Sequence, residues 1–175
     1  MSLPAPTNFK ILDVLCDLIK DQMDLPNDSV WIYNQKWMIP SKPGLYVEVA
    51  LRGTHPFGSN SQHQDDEAGN FTEYQFVNVQ ETYGITLYSR DESAITRAHE
   101  VVMALSGVLS QQLQETYNFH IGPLPPEFRD TSEVEASARL FRQELIFNAI
   151  RSYTKTRVIS YFDKFSIPPT IITNQ

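Results

Sequence analysis

Strand chemistry sustained over an unusual length constrains this chain more than any other feature. From Phe71 to Arg90, Val77, Val79, Tyr83, Ile85 and Leu87 share one parity, and Asn78, Gln80, Thr82 and Thr86 share the other. Alternation of that kind marks a half-buried strand. Unbroken at ~3.3 Å per residue, the stretch would span well over 50 Å, so it is expected to project beyond the domain body. Gly84 inside it predicts a bulge or bend. A second long β pattern runs from about Glu135 to Tyr153, with Leu145, Phe147 and Ala149 on one side and Ile146 and Ile150 on the other.

Helical and shorter strand patterns surround these two stretches. Asn8 to Met23 repeats Phe9, Leu12, Cys16, Ile19 and Met23 at helical spacing, with Thr7 or Asn8 to cap it and Pro26 to end it. Ser29–Gln35 reads as a first strand, and Leu45–Arg52 alternates as a second. Asp91 to about Tyr117 predicts one further helix, capped by Asp91 or Ser93, with Ile95, Ala98, Val102, Leu105, Leu109 and Leu113 at helical spacing. Gly122–Pro126 is a linker or sharp corner. Near the end, Val158, Tyr161, Phe162 and Phe165 suggest a short helical turn, and Ile171-Ile172 an edge strand.

Between two strand patterns, Gly53–Asn70 has little to bury and many turn formers, and it reads as a long mobile hairpin loop. The order of elements predicts an α+β fold: a mostly antiparallel sheet with long hairpins and two main helices packed on one face. Hairpin pairing is favoured over parallel crossovers. A length of 175 residues suits a single domain over 1–175, with 53–70 as the loop and 166–175 as a C-terminal tail.

Composition narrows the function. Hydrophobic residues make up 41% and charged residues 20%, ordinary for a globular protein. No apolar run approaches the ~20 residues of a membrane helix. The first residues lack the basic and apolar regions of a signal peptide, which points to folding in a cytoplasm. Cys16 is the sole cysteine, on an apolar helical stripe, and reads as an inert thiol. A net charge of −7 argues against a groove that grips nucleic-acid phosphates.

Chemistry-bearing motifs are sparse. His55, His63, His99 and His120 do not form a helical zinc pair, and Asp65-Asp66-Glu67 lacks the spacing of a calcium loop. No serine elbow or glycine-rich phosphate cradle is present. The expectation is a non-enzyme with no catalytic residue, metal or cofactor. Two long β stretches, the polar loop and aromatic residues (Trp31, Tyr33, Trp37, Phe57, Tyr74, Tyr88) exceed what one small domain needs. Trp31 and Tyr83 are expected in the core. Trp37 and Phe57, flanked by turn residues, are candidate partner contacts. Unpaired strand edges are templates for assembly.

The layout resembles a known family. Tyr33-Asn34-Gln35, leading through Pro40 and Pro43 into Leu45-Tyr46-Val47-Glu48-Val49, resembles the entry to the first long hairpin of bacteriophage neck and tail terminator proteins. Phe76-Val77-Asn78-Val79-Gln80-Glu81-Thr82-Tyr83-Gly84, then Asp91 and the helix to Leu109, is similar to that family's long strand and packing helix. Arg139–Tyr153, followed by Tyr161-Phe162-Asp163, is similar to its closing strand. The likeness runs from Asn8 to about Phe165, with Gly53–Asn70 and Gly122–Pro126 as departures. It implies a structural virion protein assembled in the host cytoplasm. Such a protein forms a ring, usually a hexamer, at the head-proximal end of a phage tail, ends tube growth and joins the head connector. The partners it implies are further copies of the chain, the tail tube protein and the head–tail connector. DNA would pass through without specific binding, and no membrane is involved. His63, Asp65, Asp66 and Glu67 then become candidates for a lumen-facing or partner-facing loop. The alternatives are another head–tail adaptor, a tail-tube or baseplate component, or a small metal-dependent hydrolase built on His55, His63 and nearby acids.

Overall fold

A computed structural model of the chain describes residues 10–33, 42–65, 71–124, 127–135 and 138–159. The elements in order are α1 (Ile11–Gln22), β1 (Val30–Ile32), β2 (Leu45–Asp65), β3 (Phe71–Ser89), α2 (Ser93–Thr96), α3 (Ala98–Ser106), α4 (Val108–Tyr117), β4 (Phe119–Ile121), β5 (Arg129–Asp130), β6 (Glu133–Glu135) and β7 (Ala138–Ile159). The architecture is mixed α/β, and its sheet is mostly antiparallel, in agreement with the α+β reading.

The sheet runs β1-β2-β3-β7-β4, and β5 and β6 also pair with β7. β3 lies at its centre, antiparallel to β2 on one side and to β7 on the other. β1 is parallel to β2, matching Val30 with Val47 and Ile32 with Val49. That pairing departs from the hairpin expected between the first two strands. On the far edge of β7, β4 pairs with Ala149–Arg151, β5 with Gln143–Glu144 and β6 with Ala138–Leu140.

Hydrophobic alternation places the helices. Val47, Val49, Ile85, Leu87, Leu145 and Phe147 point to one face, where Leu15 and Ile19 of α1, Ala94 of α2, and Val101 and Leu105 of α3 bury against them. Each buried valine, leucine, isoleucine or phenylalanine among them contributes roughly 1.5–3 kcal/mol. Helices therefore cover one face, as expected.

The expected helix over 91–117 is instead broken twice. Its first turn is held by side chains: Asp91 Oδ1 accepts the Ser93 N–H at 2.9 Å, and Ser89 Oγ accepts the Ala94 N–H at 2.9 Å. Arg97 then stands between α2 and α3. Its guanidinium donates to the Met23 carbonyl at 2.7 Å and to Glu100, which ties the break to the end of α1. Gly107, with ψ 167, interrupts the helix again before α4. Asn118 closes α4 in the left-handed region at φ 50, a conformation asparagine tolerates well.

Three other expectations change. Gly53–Asp65 is strand rather than loop, paired with β3 from Thr82 out to Phe71. Val158 lies in β7 rather than in a helical turn. Gly84 is not a bulge; the bulges fall on β2. Thr7, Asn8, Tyr161, Phe162, Phe165, Ile171 and Ile172 lie outside the described residues, as do residues 66–70.

Candidate assembly surface

Beyond the helix-covered body the three central strands continue as a ribbon. Gly53–Asp65 of β2, Phe71–Thr82 of β3 and Asn148–Ile159 of β7 remain paired residue by residue. β4 last pairs at Arg151, so Ile159 lies roughly 26 Å further out along β7 at ~3.3 Å per residue. Ser152–Val158 are exposed, as is almost all of Gly53–Gln62. Among the described residues, no strand pairs with the outer edge of β2 beyond the β1 contact, nor with β7 beyond Arg151. Both edges of the ribbon therefore present backbone N–H and C=O groups to a partner.

Two register shifts shape the β2 edge. Leu51 faces Tyr83 but Gly53 faces Thr82, leaving Arg52 as the extra residue; Pro56 faces Val79 but Gly58 faces Asn78, leaving Phe57 as the second. β-Bulges of this kind re-aim side chains at sheet edges. Phe57 is 53% exposed, a large apolar side chain on an open edge. At the first bulge Arg52, itself exposed, reaches across the sheet face. Its Nη2 donates to Glu144 Oε1 at 2.8 Å, and its guanidinium lies 5.6 Å from the Tyr33 ring centroid. It also occupies the space above Gly84, where an added Cβ would meet Arg52 Nε at 2.8 Å.

A polar node anchors the ribbon where it leaves the body. Glu81 is buried, and its carboxylate accepts hydrogen bonds from the Tyr83 hydroxyl at 2.5 Å and the Tyr153 hydroxyl at 2.8 Å. Burial, then the hydrogen bond to Glu81 and its charge, raise the Tyr83 phenol above its ordinary value. The same causes raise Tyr153. Both phenols therefore stay protonated and donate to the carboxylate, as a buried charge requires. The Tyr83 ring also stacks on Phe147 at 5.9 Å.

The sheet face opposite the helices carries aromatic and charged groups. Trp31, Tyr46, Tyr88 and Leu140 form a small second core there. Tyr88 is thus buried rather than part of an exposed aromatic supply. Arg142 stacks over the Tyr88 ring at 5.1 Å. Glu48 sits among them, its carboxyl pushed up by burial, against the lowering effects of Arg52, Arg142 and hydrogen bonds from Trp31 and Tyr88.

Of the residues singled out from sequence, the three that are described lie along the outer part of β2. Phe57 occupies the second bulge of β2. His63 and Asp65 belong to the same strand, opposite Glu73 and Phe71. Trp37, Asp66 and Glu67 lie outside the described residues. Among the described residues, no group of three histidine, cysteine, aspartate or glutamate side chains is placed to hold a metal ion. The Cys16 thiol is pushed up to about 12 by burial, then by Asp13 and Asp17, which leaves it protonated near neutral pH. No described helix is long and apolar enough to cross a membrane.

The helix-backed sheet with its three-stranded ribbon shares its fold with a solved structure. The cryo-EM structure of a sheath/tube terminator from an extracellular contractile injection system, PVC, in its extended state superimposes with a TM-score of 0.56 at 15% sequence identity. The alignment covers 99% of this chain and 65% of that one, so the chain spans about two thirds of the length of its structural neighbour. At that identity the likeness is one of fold. No protein-family model matches the sequence, and no curated protein matches it.

Proposed function

We propose that this protein is a structural, non-enzymatic terminator. It would assemble as a ring, most simply a hexamer, at the head-proximal end of a phage tail or of a related contractile particle. There it ends growth of the tube and offers a surface to the connector above. The observation that carries this reading is the terminator fold itself, matched along nearly the whole chain to a sheath/tube terminator. The ribbon adds a physical reason. Strands open on both edges far from the body are satisfied by neighbouring subunits, and a head-to-tail contact whose rotation closes gives a ring. In this reading the chain is one structural domain over 1–175 that needs no cofactor. Its partners are copies of itself, the tube protein and the connector, with DNA passing unbound. Phe57, His63 and Asp65, together with Trp37, Asp66 and Glu67, face a partner or the lumen.

The test is assembly. Light scattering and negative-stain electron microscopy of the purified full chain, alone and co-expressed with the tube protein of its own particle, are expected to show closed rings that cap tube ends. A strict monomer under both conditions overturns the proposal. Long open tubes of this chain alone would instead assign it to the tube.

A further inference from the structure

The two outer strands of the ribbon differ in charge. From Ser152 to Val158, β7 is exposed and carries Lys155 and Arg157 but no acid. From Gly53 to Gln64, β2 carries no aspartate, glutamate, lysine or arginine. Both strands are antiparallel to β3, so they run in the same direction. They also stand level across it. Phe76 pairs with Asn60 on one side and Thr154 on the other, Tyr74 with Gln62 and Thr156, and Thr72 with Gln64 and Val158.

We propose that the β7 edge of one copy pairs in parallel with the β2 edge of the next, joining the ribbons into one continuous sheet. A two-fold β7–β7 ladder over Ser152–Val158 is antiparallel and centres on Lys155, which sets that lysine opposite its own copy. Like charges directly opposite destabilise a strand pair. A two-fold β2–β2 ladder leaves the β7 edge of both copies open. Only β7 against β2 closes both edges of every copy, and it sets the cationic strand against an uncharged one. Rotation about a ring axis that lies along the strands preserves strand direction. Because β2 and β7 run the same way, the contact it makes is parallel. The same rotation preserves height, so Thr154 meets Asn60, Thr156 meets Gln62 and Val158 meets Gln64 of the next copy. A tilt of the strands slides all three together by an even step, since an odd step would turn the side chains over. Backbone pairing, rather than ion pairing, holds this contact. The proposal rests on the reading that copies of the chain assemble as a ring, and it states which edges meet and in which direction.

Disulfide trapping tests it with the full chain in a Cys16→Ala background. Each variant carries one cysteine at Thr154, Thr156 or Val158 and one at Asn60, Gln62 or Gln64. All six positions are exposed, so the substitutions are compatible with folding, which circular dichroism checks. Within one chain the two cysteines flank β3, roughly 10 Å apart at ~4.8 Å per strand spacing. A disulfide spans at most about 7 Å between Cα atoms, so every link joins two copies. After mild oxidation, linked species longer than a dimer are expected along one diagonal, on which the β2 and β7 positions rise together. They should exceed those of the other combinations at least tenfold. Links in which one position rises as the other falls show an antiparallel contact and overturn the proposal. So do links that stop at the dimer, or dimers that form equally well from chains with a single cysteine. If the copies associate by light scattering yet no combination links, the edge contact is overturned while the assembly reading stands. A strict monomer, alone and with the tube protein, overturns both readings.

Discussion

Glu81 shows how one residue sets the terms for the ribbon's root. A buried carboxylate is costly unless donors surround it, and two tyrosine hydroxyls do so here. Tyr83→Phe is expected to cost about 1.5–3 kcal/mol, the range for hydrogen bonds to charged groups. Tyr153→Phe, at a more exposed position, should cost less. The double variant should cost more than the sum, because it leaves the same carboxylate without either donor. Urea denaturation of the four proteins measures this, and strictly additive losses would show that the two hydroxyls act independently. Glu48 offers a second test. Its folded-state value is raised, so the folded protein holds a proton more tightly than the unfolded chain does. Stability from this group is present below the folded value and is lost as pH rises from 4.5 through it. Asp91 and Glu100, whose values are lowered, act in the opposite sense at lower pH. Glu48→Gln keeps an acceptor for Trp31 and Tyr88. It should therefore flatten the decline, seen as a melting temperature that falls less than wild type as pH is raised from 4.5.

At the level of elements, strands could be read from sequence wherever one face is buried. Tyr83, Ile85 and Leu87 alternate because the helix-backed core covers that side, and α1 is legible for the same reason. Gly53–Asp65 is hidden because almost all of its side chains as far as Gln62 are exposed. Its residues are held by backbone pairing, so nothing selects apolar alternation, and glycine, serine and asparagine made it look like a loop. The outer part of β7, beyond Tyr153, is hidden for the same reason, since Thr154–Val158 are exposed. Phe57 stood out as an apolar residue among turn formers. The Glu81–Tyr153 contact did not, because 72 positions separate the two residues and only the β3–β7 register brings them together. Gly84 drew attention for the wrong reason: it is small to admit Arg52. Gly84→Ala should therefore displace the Arg52 side chain and loosen its pairing with Glu144, at about 1 kcal/mol, within the range of ordinary single substitutions. In an Arg52→Ala background the same change should cost little, and a full cost persisting there would place the strain in the backbone. A double-mutant cycle by thermal unfolding decides it.

The whole molecule combines a net charge of −7 with contacts that, in the assembly reading, are strand edges and apolar surface. Like-charged copies repel, and repulsion between exposed charges more than ~10 Å apart is largely screened at 0.1 M salt. Backbone pairing and apolar contact are far less affected. Self-association should accordingly strengthen as salt is raised from about 20 mM to 200 mM, near and beyond that screening range, as followed by light scattering. A marked weakening would mean that complementary charges, rather than strand edges and apolar surface, hold the copies together.

Leu51–Asp65 of β2 covers two more residues than Tyr83–Phe71 opposite it, and Arg52 and Phe57 are the surplus. Each surplus residue shifts the alternation by one number, so odd residues share one face up to Leu51, even residues take it from Thr54 to Pro56, and odd residues resume it from Ser59. Deleting either surplus residue closes its bulge and leaves every remaining β2–β3 pair, and so every facing side chain, in place. Single-residue changes in length are therefore tolerable at these two positions, whereas one at a paired position slips the register and turns the rest of the strand over.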